Sequence, residues 1–147
     1  MKLKACAVLL CALFACSTTS MAADWQTNYQ SAMEQAKKEN KTVLLDFTGS
    51  DWCGWCIKLK KEVFNTSEFK DYADKNLVLV ELDFPRGKAQ SAELKQQNRS
   101  LQAKYGIKGY PTIVVLNSEG AHIGTIGYRA GGPNAWLGAL NQIISKK

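Results

Sequence analysis

The stretch Trp52-Cys53-Gly54-Trp55-Cys56 follows the apolar run Thr42-Val43-Leu44-Leu45-Asp46-Phe47, and together they decide how this chain of 147 residues folds. A short continuous apolar run is typical of a buried strand, and the cysteines come where that strand gives way to a helix. Cys53 is expected at the helix N-terminus, where unsatisfied backbone N–H groups stabilise a thiolate. Cys56 lies one turn further along, close enough to form a disulfide with Cys53. The stretch points to thiol–disulfide exchange.

The first 22 residues have the organisation of a secretory signal peptide. Lysines at positions 2 and 4 form a positive n-region, residues 5–15 are apolar, and Ser20-Met21-Ala22 places small residues around a cleavage site. The apolar stretch is too short to span a bilayer. We therefore expect cleavage after position 22 and export to the periplasm, with residues 23–147 forming a single domain.

A second interpretation of the N-terminal segment stays open. Leu13-Phe14-Ala15-Cys16 resembles a bacterial lipoprotein box, and residues 17–20 would then form a flexible tether behind a lipidated Cys16. The protein would be anchored to a membrane through Cys16 rather than released. In both cases it leaves the cytoplasm.

The cysteine count and the net charge argue against a purely structural disulfide and against nucleic-acid binding. Once residues 1–22 are removed, Cys53 and Cys56 are the remaining cysteines. A disulfide that closes so small a loop stabilises a fold very little, so the pair is expected to be chemical rather than structural. The remaining chain carries 17 basic and 13 acidic residues, a net charge of +4, with the basic residues dispersed. Nucleic-acid binding is therefore a poor explanation.

The spacing of apolar residues predicts the order α-β-α-β-α-β-β-α. Five helices are expected: one over residues 24–38, one that starts at Cys53, one that follows an N-cap at Ser67, one over residues 91–104 and one that starts at Pro133. In the helix 91–104, Leu94, Leu101 and Ala103 are expected to face inward. Strands are expected over residues 42–47, 77–82, 112–116 and 121–127. A central mixed four-stranded sheet flanked by helices, an α/β fold, satisfies this order.

Three segments in this order make the chain resemble the thioredoxin superfamily. Leu45-Asp46-Phe47 leads into the cysteine stretch, Leu79-Val80-Glu81-Leu82-Asp83 follows, and Lys104-Tyr105-Gly106-Ile107-Lys108-Gly109-Tyr110-Pro111-Thr112 precedes the third strand. Two cysteines two residues apart are a weak signal, whereas the three segments in order are a strong one. The match runs from residue 25 to residue 144 and implies a thioredoxin-like fold. The approach 48–52 and the Gly-Trp dipeptide are similar to the periplasmic thioredoxin module of disulfide-shuttling reductases.

The resemblance implies a role for each catalytic residue. Cys53 is the expected attacking thiolate, Cys56 the resolving thiol, and Pro111 the cis-proline beside them. Asp46 corresponds to a buried carboxylate that has a raised pKa and accepts the Cys56 proton through water. The lysine that often pairs with this carboxylate has no evident counterpart, because Leu79-Val80-Glu81 occupies that region.

The aromatic residues beside the cysteines are the expected substrate-binding groups. Trp52, Trp55 and Tyr110 would give an unfolded polypeptide apolar contact with little sequence preference. Trp55 carries no charge to stabilise the reduced thiolate, which favours a reductase or isomerase over an oxidase. The long segment 84–103 is expected to tune partner contacts rather than chemistry.

The sequence thus predicts an exported thiol–disulfide oxidoreductase. Its partners would be cysteine-containing exported proteins and an upstream thiol–disulfide electron donor, with no cofactor or metal required. Two alternatives remain: a non-catalytic thioredoxin-fold binding module, and a Cu(I)-handling chaperone that uses the cysteine pair as ligands. Zinc is disfavoured because it takes four ligands and His122 is the sole histidine.

Overall fold

A computed structural model describes residues 24–146, so the predicted signal peptide and Cys16 lie outside the described residues. The elements in chain order are β1 (Trp25–Gln26), α1 (Tyr29–Glu39), β2 (Thr42–Thr48), α2 (Gly54–Leu59) continued by a π-helical turn (Lys60–Phe64), α3 (Ser67–Asn76), β3 (Leu77–Asp83), α4 (Ala92–Lys104), β4 (Thr112–Leu116), β5 (His122–Ile126) and α5 (Gly132–Ile144). None of the helices within this part of the chain is long and apolar enough to cross a membrane.

The sheet has five strands in the order β1-β3-β2-β4-β5, so the prediction of four strands was one short. β3 is parallel to both β1 and β2, whereas β4 is antiparallel to β2 and to β5. The additional strand contains Trp25, which was expected in the first helix and instead pairs with Leu79. At that edge its ring packs 5.0 Å from the ring of Phe64. The helix begins later, where the Asn28 side chain accepts a hydrogen bond from a first-turn N–H.

Both faces of the sheet are covered, as the continuous apolar run of β2 predicted. Leu44 packs with the side chains of α2, the π-helical turn, α3 and α5. Val43, Leu45 and Phe47 face the other way, against α1 and α4. Because successive side chains of a strand alternate between faces, Asp46 lies on the Leu44 face and is directed toward α2. The strand therefore places one carboxyl group inside an apolar layer.

Two local predictions were wrong. Ala103 is exposed on α4, and the polar residue Asn98 is buried instead, where its side-chain amide donates to the Asp83 carbonyl oxygen (3.0 Å). The α3 cap is Thr66 rather than Ser67, because the Thr66 hydroxyl accepts the Phe69 N–H (3.3 Å). At Asn98 a hydrogen bond overrides the apolar periodicity on which the Ala103 prediction relied, whereas Thr66 and Ser67 are both suitable N-cap residues and the hydrogen bond to Phe69 is made by the earlier one.

Candidate active site

The strand register brings three loops to one edge of the sheet. Thr48 at the end of β2 pairs with Asp83 at the end of β3, and Phe47 pairs with Thr112 at the start of β4. The cysteine loop after β2, the loop after β3 and the segment before β4 therefore meet there. The Tyr110–Pro111 peptide bond, just before β4, is cis.

The two cysteines lie at the start of α2 and form a disulfide. Cys53 is the N-cap residue, and its Sγ accepts a hydrogen bond from the Cys56 N–H (3.2 Å). Its own N–H donates to the Gly49 carbonyl oxygen (2.9 Å), which fixes the loop in front of the helix. Cys53 is 7% exposed and Cys56 is 5% exposed. An N–H directed at Sγ is the environment that stabilises a thiolate at this position once the disulfide is reduced.

A cavity of about 200 Å³ lies beside Cys56. Its wall includes Asp46, Cys56, Lys60 and Glu81. A cavity of this size with charged side chains on its wall has room for water molecules. Water in the cavity could therefore connect Cys56 with the Asp46 carboxyl group, which no hydrogen bond joins directly within residues 24–146.

Burial raises the pKa of Asp46 to about 8, and the nearby negative charge of Glu81 adds to the increase. The Asp46 side chain is 6% exposed, and its Oδ1 atom has no hydrogen-bond partner among the described residues. The positive charge of Lys60 acts in the opposite direction and lowers the pKa of Asp46. Desolvation disfavours the charged carboxylate because no donor replaces the lost water.

Lys60 and Glu81 were not assigned to the site from the sequence. Glu81 is the neighbour of Asp46 in the parallel β2–β3 register, so both carboxyl groups face the same cavity. Lys60 Nζ lies 3.3 Å from Glu81 Oε2. The lysine that pairs with the buried carboxylate in the resembling family is thus absent from β3. Lys60, on the π-helical turn that continues the helix of Cys56, instead brings a positive charge to the cavity of Asp46.

Exposed aromatic side chains border the cysteines. Trp52 is 36% exposed and precedes Cys53, and Trp55 is 58% exposed and precedes Cys56. Trp52 packs edge-on against Tyr110, with 5.9 Å between ring centroids, and Trp55 packs 5.0 Å from Tyr128. The three predicted substrate-binding aromatics, Trp52, Trp55 and Tyr110, therefore lie around the cysteine loop, with Tyr110 half-buried.

The loop after β3 is tied to the cysteine loop by hydrogen bonds. The Asp51 carboxylate accepts the backbone N–H groups of Arg86 (3.0 Å) and Gly87 (2.7 Å), and these bonds hold the pKa of Asp51 below its ordinary value. The Trp52 indole N–H donates to the Phe84 carbonyl oxygen (2.8 Å). We call residues 84–88 the rim loop. It forms one side of the site. The sequence indicated partner contacts for the segment 84–103, but not which of its residues adjoin the cysteine loop.

The other potential metal ligands do not gather near the cysteine pair. Within residues 24–146, no three side chains of histidine, cysteine, aspartate or glutamate form a metal-binding group. The imidazole of His122 is hydrogen-bonded within β5, to the Gly124 carbonyl oxygen and the Thr125 hydroxyl (2.9 Å each).

A cysteine pair at a helix start, on a mixed sheet covered on both faces, defines a thiol–disulfide oxidoreductase of the thioredoxin class. Residues 29–143 match the family model described as a thioredoxin-like domain. The chain therefore belongs to the thioredoxin-like family.

The similar proteins include one named as a disulfide bond reductase and one named as thioredoxin-related. The disulfide bond reductase DsbH of Chlamydia pneumoniae is 38% identical over 120 residues, which cover 82% of this chain and 72% of that protein. A solved structure titled DsbH oxidoreductase superimposes with a TM-score of 0.80 and 35% identity, covering 86% of this chain and 88% of that one. The thioredoxin-related protein DsbJ of the same organism is 34% identical, but this chain spans 30% of its length (70% of this chain).

Proposed function

We propose that this protein is an exported disulfide reductase that transfers two electrons from its cysteine pair to disulfides of other proteins. The observation that carries the proposal is the different surroundings of the two cysteines. Cys53 is the helix N-cap flanked by exposed tryptophans, whereas Cys56 lines a cavity with a buried carboxyl group. This asymmetry suits one cysteine for attack on a partner and the other for resolution.

The proposed reaction begins with the reduced protein. The Cys53 thiolate attacks one sulfur of the substrate disulfide, forming a mixed disulfide and releasing the other substrate sulfur as a thiolate. Cys56 then loses its proton and attacks Cys53 Sγ, which forms the Cys53–Cys56 disulfide and releases the second substrate thiolate. The protein is oxidised by two electrons and the substrate reduced by two. An upstream dithiol donor must restore the reduced pair.

Asp46 is suited to accept the Cys56 proton. Its pKa of about 8 is close to the ~8.5 of an ordinary thiol, so the Cys56 proton can pass through water to the ionised fraction of Asp46, roughly a tenth at pH 7, at a small free-energy cost. Burial is the main cause of the raised pKa of Asp46, and the two charges adjust it: Glu81 raises this pKa and Lys60 lowers it. We assign both as positioning residues.

Direction and location are supported by further observations. Trp55 supplies no charge that would stabilise the reduced thiolate, and the similar protein DsbH is named as a disulfide bond reductase. Export, to the periplasm or through a lipid anchor at Cys16, is supported by the pattern of residues 1–22. We propose cysteine-containing exported proteins as substrates.

The first test is the reduction potential of the Cys53–Cys56 pair together with single cysteine variants. We expect a potential near the ~−270 mV of thioredoxin, and a value near the ~−120 mV of the strong periplasmic oxidant would overturn the assignment as a reductase. Cys56→Ser should accumulate a mixed disulfide through Cys53, whereas Cys53→Ser should abolish turnover of a disulfide substrate such as insulin. Full function without Cys53 would instead indicate a binding module. Tight Cu(I) binding without thiol exchange would indicate a copper chaperone.

A further inference from the structure

Two cations are held against the tryptophans that flank Cys53. The Arg86 guanidinium lies 3.9 Å from the centre of the Trp52 ring. Lys58 Nζ lies 5.2 Å from the ring of Trp55 and 5.2 Å from that of Tyr128. A cation above an aromatic face is attracted by the ring, so its side chain is restrained while its charge stays available to solvent. A cation therefore lies over the ring of each tryptophan, and Lys58 is also paired with the Glu62 carboxylate (3.9 Å).

The position of Arg86 is set by the backbone of the rim loop. Asp51 accepts the N–H groups of Arg86 and Gly87, and Trp52 donates to Phe84 at the start of the loop. The loop is thereby fixed to the two residues that precede Cys53. Arg86 is thus placed beside the attacking cysteine by contacts that do not use its own guanidinium group.

The acidic groups that border the site are already engaged within the protein: Asp51 with backbone N–H groups, Glu62 with a tyrosine hydroxyl and Lys58, Glu81 with Lys60, and Asp83 with the N–H and hydroxyl of Ser50. By contrast, within residues 24–146 no carboxylate lies within 4 Å of the Arg86 guanidinium, so no ion pair neutralises it. Arg86 is therefore a cation beside Cys53 that remains available to a carboxylate of a partner, whereas Lys58 is already paired with Glu62.

We propose that the substrate segment which enters this site carries an acidic side chain beside its disulfide, and that Arg86 selects it. This inference rests on the proposed reductase function and names the substrate class. The exposed rings would contact the apolar part of the segment, and the Arg86 guanidinium would attract its carboxylate. Because such attraction acts mainly on association, it should raise the bimolecular rate and weaken as salt screens it.

The test uses two peptides of identical sequence, each with one disulfide, that carry either glutamate or glutamine at the positions flanking the cysteines. Their reduction by the reduced protein is followed at about 20 mM and about 0.5 M salt, conditions between which the screening length falls severalfold. We expect the glutamate peptide to react faster at low salt, by roughly two- to fivefold, and the preference to shrink at high salt. Equal rates at low salt would overturn the inference.

Variants that remove one positive charge show which residue causes the preference for the glutamate peptide. Arg86→Gln should reduce the preference for the glutamate peptide while leaving the rate with the glutamine peptide little changed. Lys75→Gln is the matched control, because Lys75 is exposed at the end of α3, next to the start of β3, whereas the rim loop follows the end of that strand. An equal loss of preference in Lys75→Gln would show that only net charge matters and would overturn the role of Arg86.

The same experiment separates this inference from the function on which it rests. If both peptides are reduced at equal rates, the reductase function stands and the acidic-substrate inference falls. If neither peptide is reduced although the pair is in its dithiol form, both fall.

Discussion

Asp46→Asn replaces a buried carboxyl group by an amide of nearly the same shape, and it should stabilise the protein while slowing its chemistry. The folded protein holds the Asp46 proton up to a pKa of about 8, whereas the unfolded chain loses it near the ordinary value of 3.8. Between these pH values the folded state binds more protons. The free energy of unfolding must therefore fall as pH rises through that window.

The size of the effect follows from the two pKa values. Each pH unit between 3.8 and 7 costs about 1.4 kcal/mol, so the carboxyl group lowers the stability of the folded protein by about 4 kcal/mol at pH 7. The asparagine amide must also be desolvated in the same place, which offsets part of the gain. We expect Asp46→Asn to raise the free energy of unfolding by about 2–4 kcal/mol at pH 7, and by little at pH 4.

Urea unfolding of the disulfide form at several pH values measures this change. Asp71→Asn is the matched control, because Asp71 is exposed on α3 and the same substitution there should change stability by less than about 0.5 kcal/mol. In the reduced protein, Asp46→Asn should slow resolution of the mixed disulfide by at least about tenfold, since Cys56 loses its proton acceptor.

Two results would refute this reasoning. The first is a wild-type unfolding free energy that does not fall between pH 4 and pH 8. The second is an Asp46→Asn variant whose stability at pH 7 matches that of Asp71→Asn. Either would mean that the carboxyl group of Asp46 ionises as easily in the folded protein as in the unfolded chain.

Three further substitutions probe other contacts. Glu81→Gln removes a negative charge that raises the pKa of Asp46, so the pH midpoint of mixed-disulfide resolution should move downward, and an upward move would contradict the arrangement. Gly49→Ala would place a Cβ atom 2.5 Å from the Trp52 ring, so we expect an altered tryptophan emission and a stability loss of about 1–3 kcal/mol, while an unchanged spectrum and stability would count against the packing described. Thr66→Ala removes the N-cap of α3 and should cost about 1 kcal/mol in urea unfolding, and wild-type stability would show that the cap contributes nothing.

The parts of the fold that could be predicted are those with local or periodic signals. The apolar run of β2 predicted a strand buried on both faces, and Pro133 predicted the start of α5, which begins one residue earlier. The strand that contains Trp25 has two residues, too few for any period to show, and it exists because β3 offers an unpaired edge. Sheet pairing of so short a segment is decided by distant residues.

The same distinction holds for the site. The positions of Cys53 and Cys56 at a helix start follow from adjacent residues, and the sequence placed them correctly. The contacts of Lys60 with Glu81 and of Asp51 with the rim loop join residues 21 and 35 or 36 positions apart. Such contacts depend on how the ends of β2 and β3 are aligned, which composition and spacing do not reveal. Arg86 could not be assigned for this reason.

The hydrogen bonds that join the rim loop to Asp51 and Trp52 do not depend on which side chain stands at position 86. To these bonds the loop contributes backbone groups, namely two N–H groups and the Phe84 carbonyl oxygen, and its Lys88 side chain adds a separate bond to the Ser50 hydroxyl (3.1 Å). Backbone groups persist whatever residue occupies a position. Natural variation could therefore change the charge at position 86, and with it the choice of substrate, while the cysteine loop keeps its shape. The fold thus allows specificity to evolve one surface residue at a time.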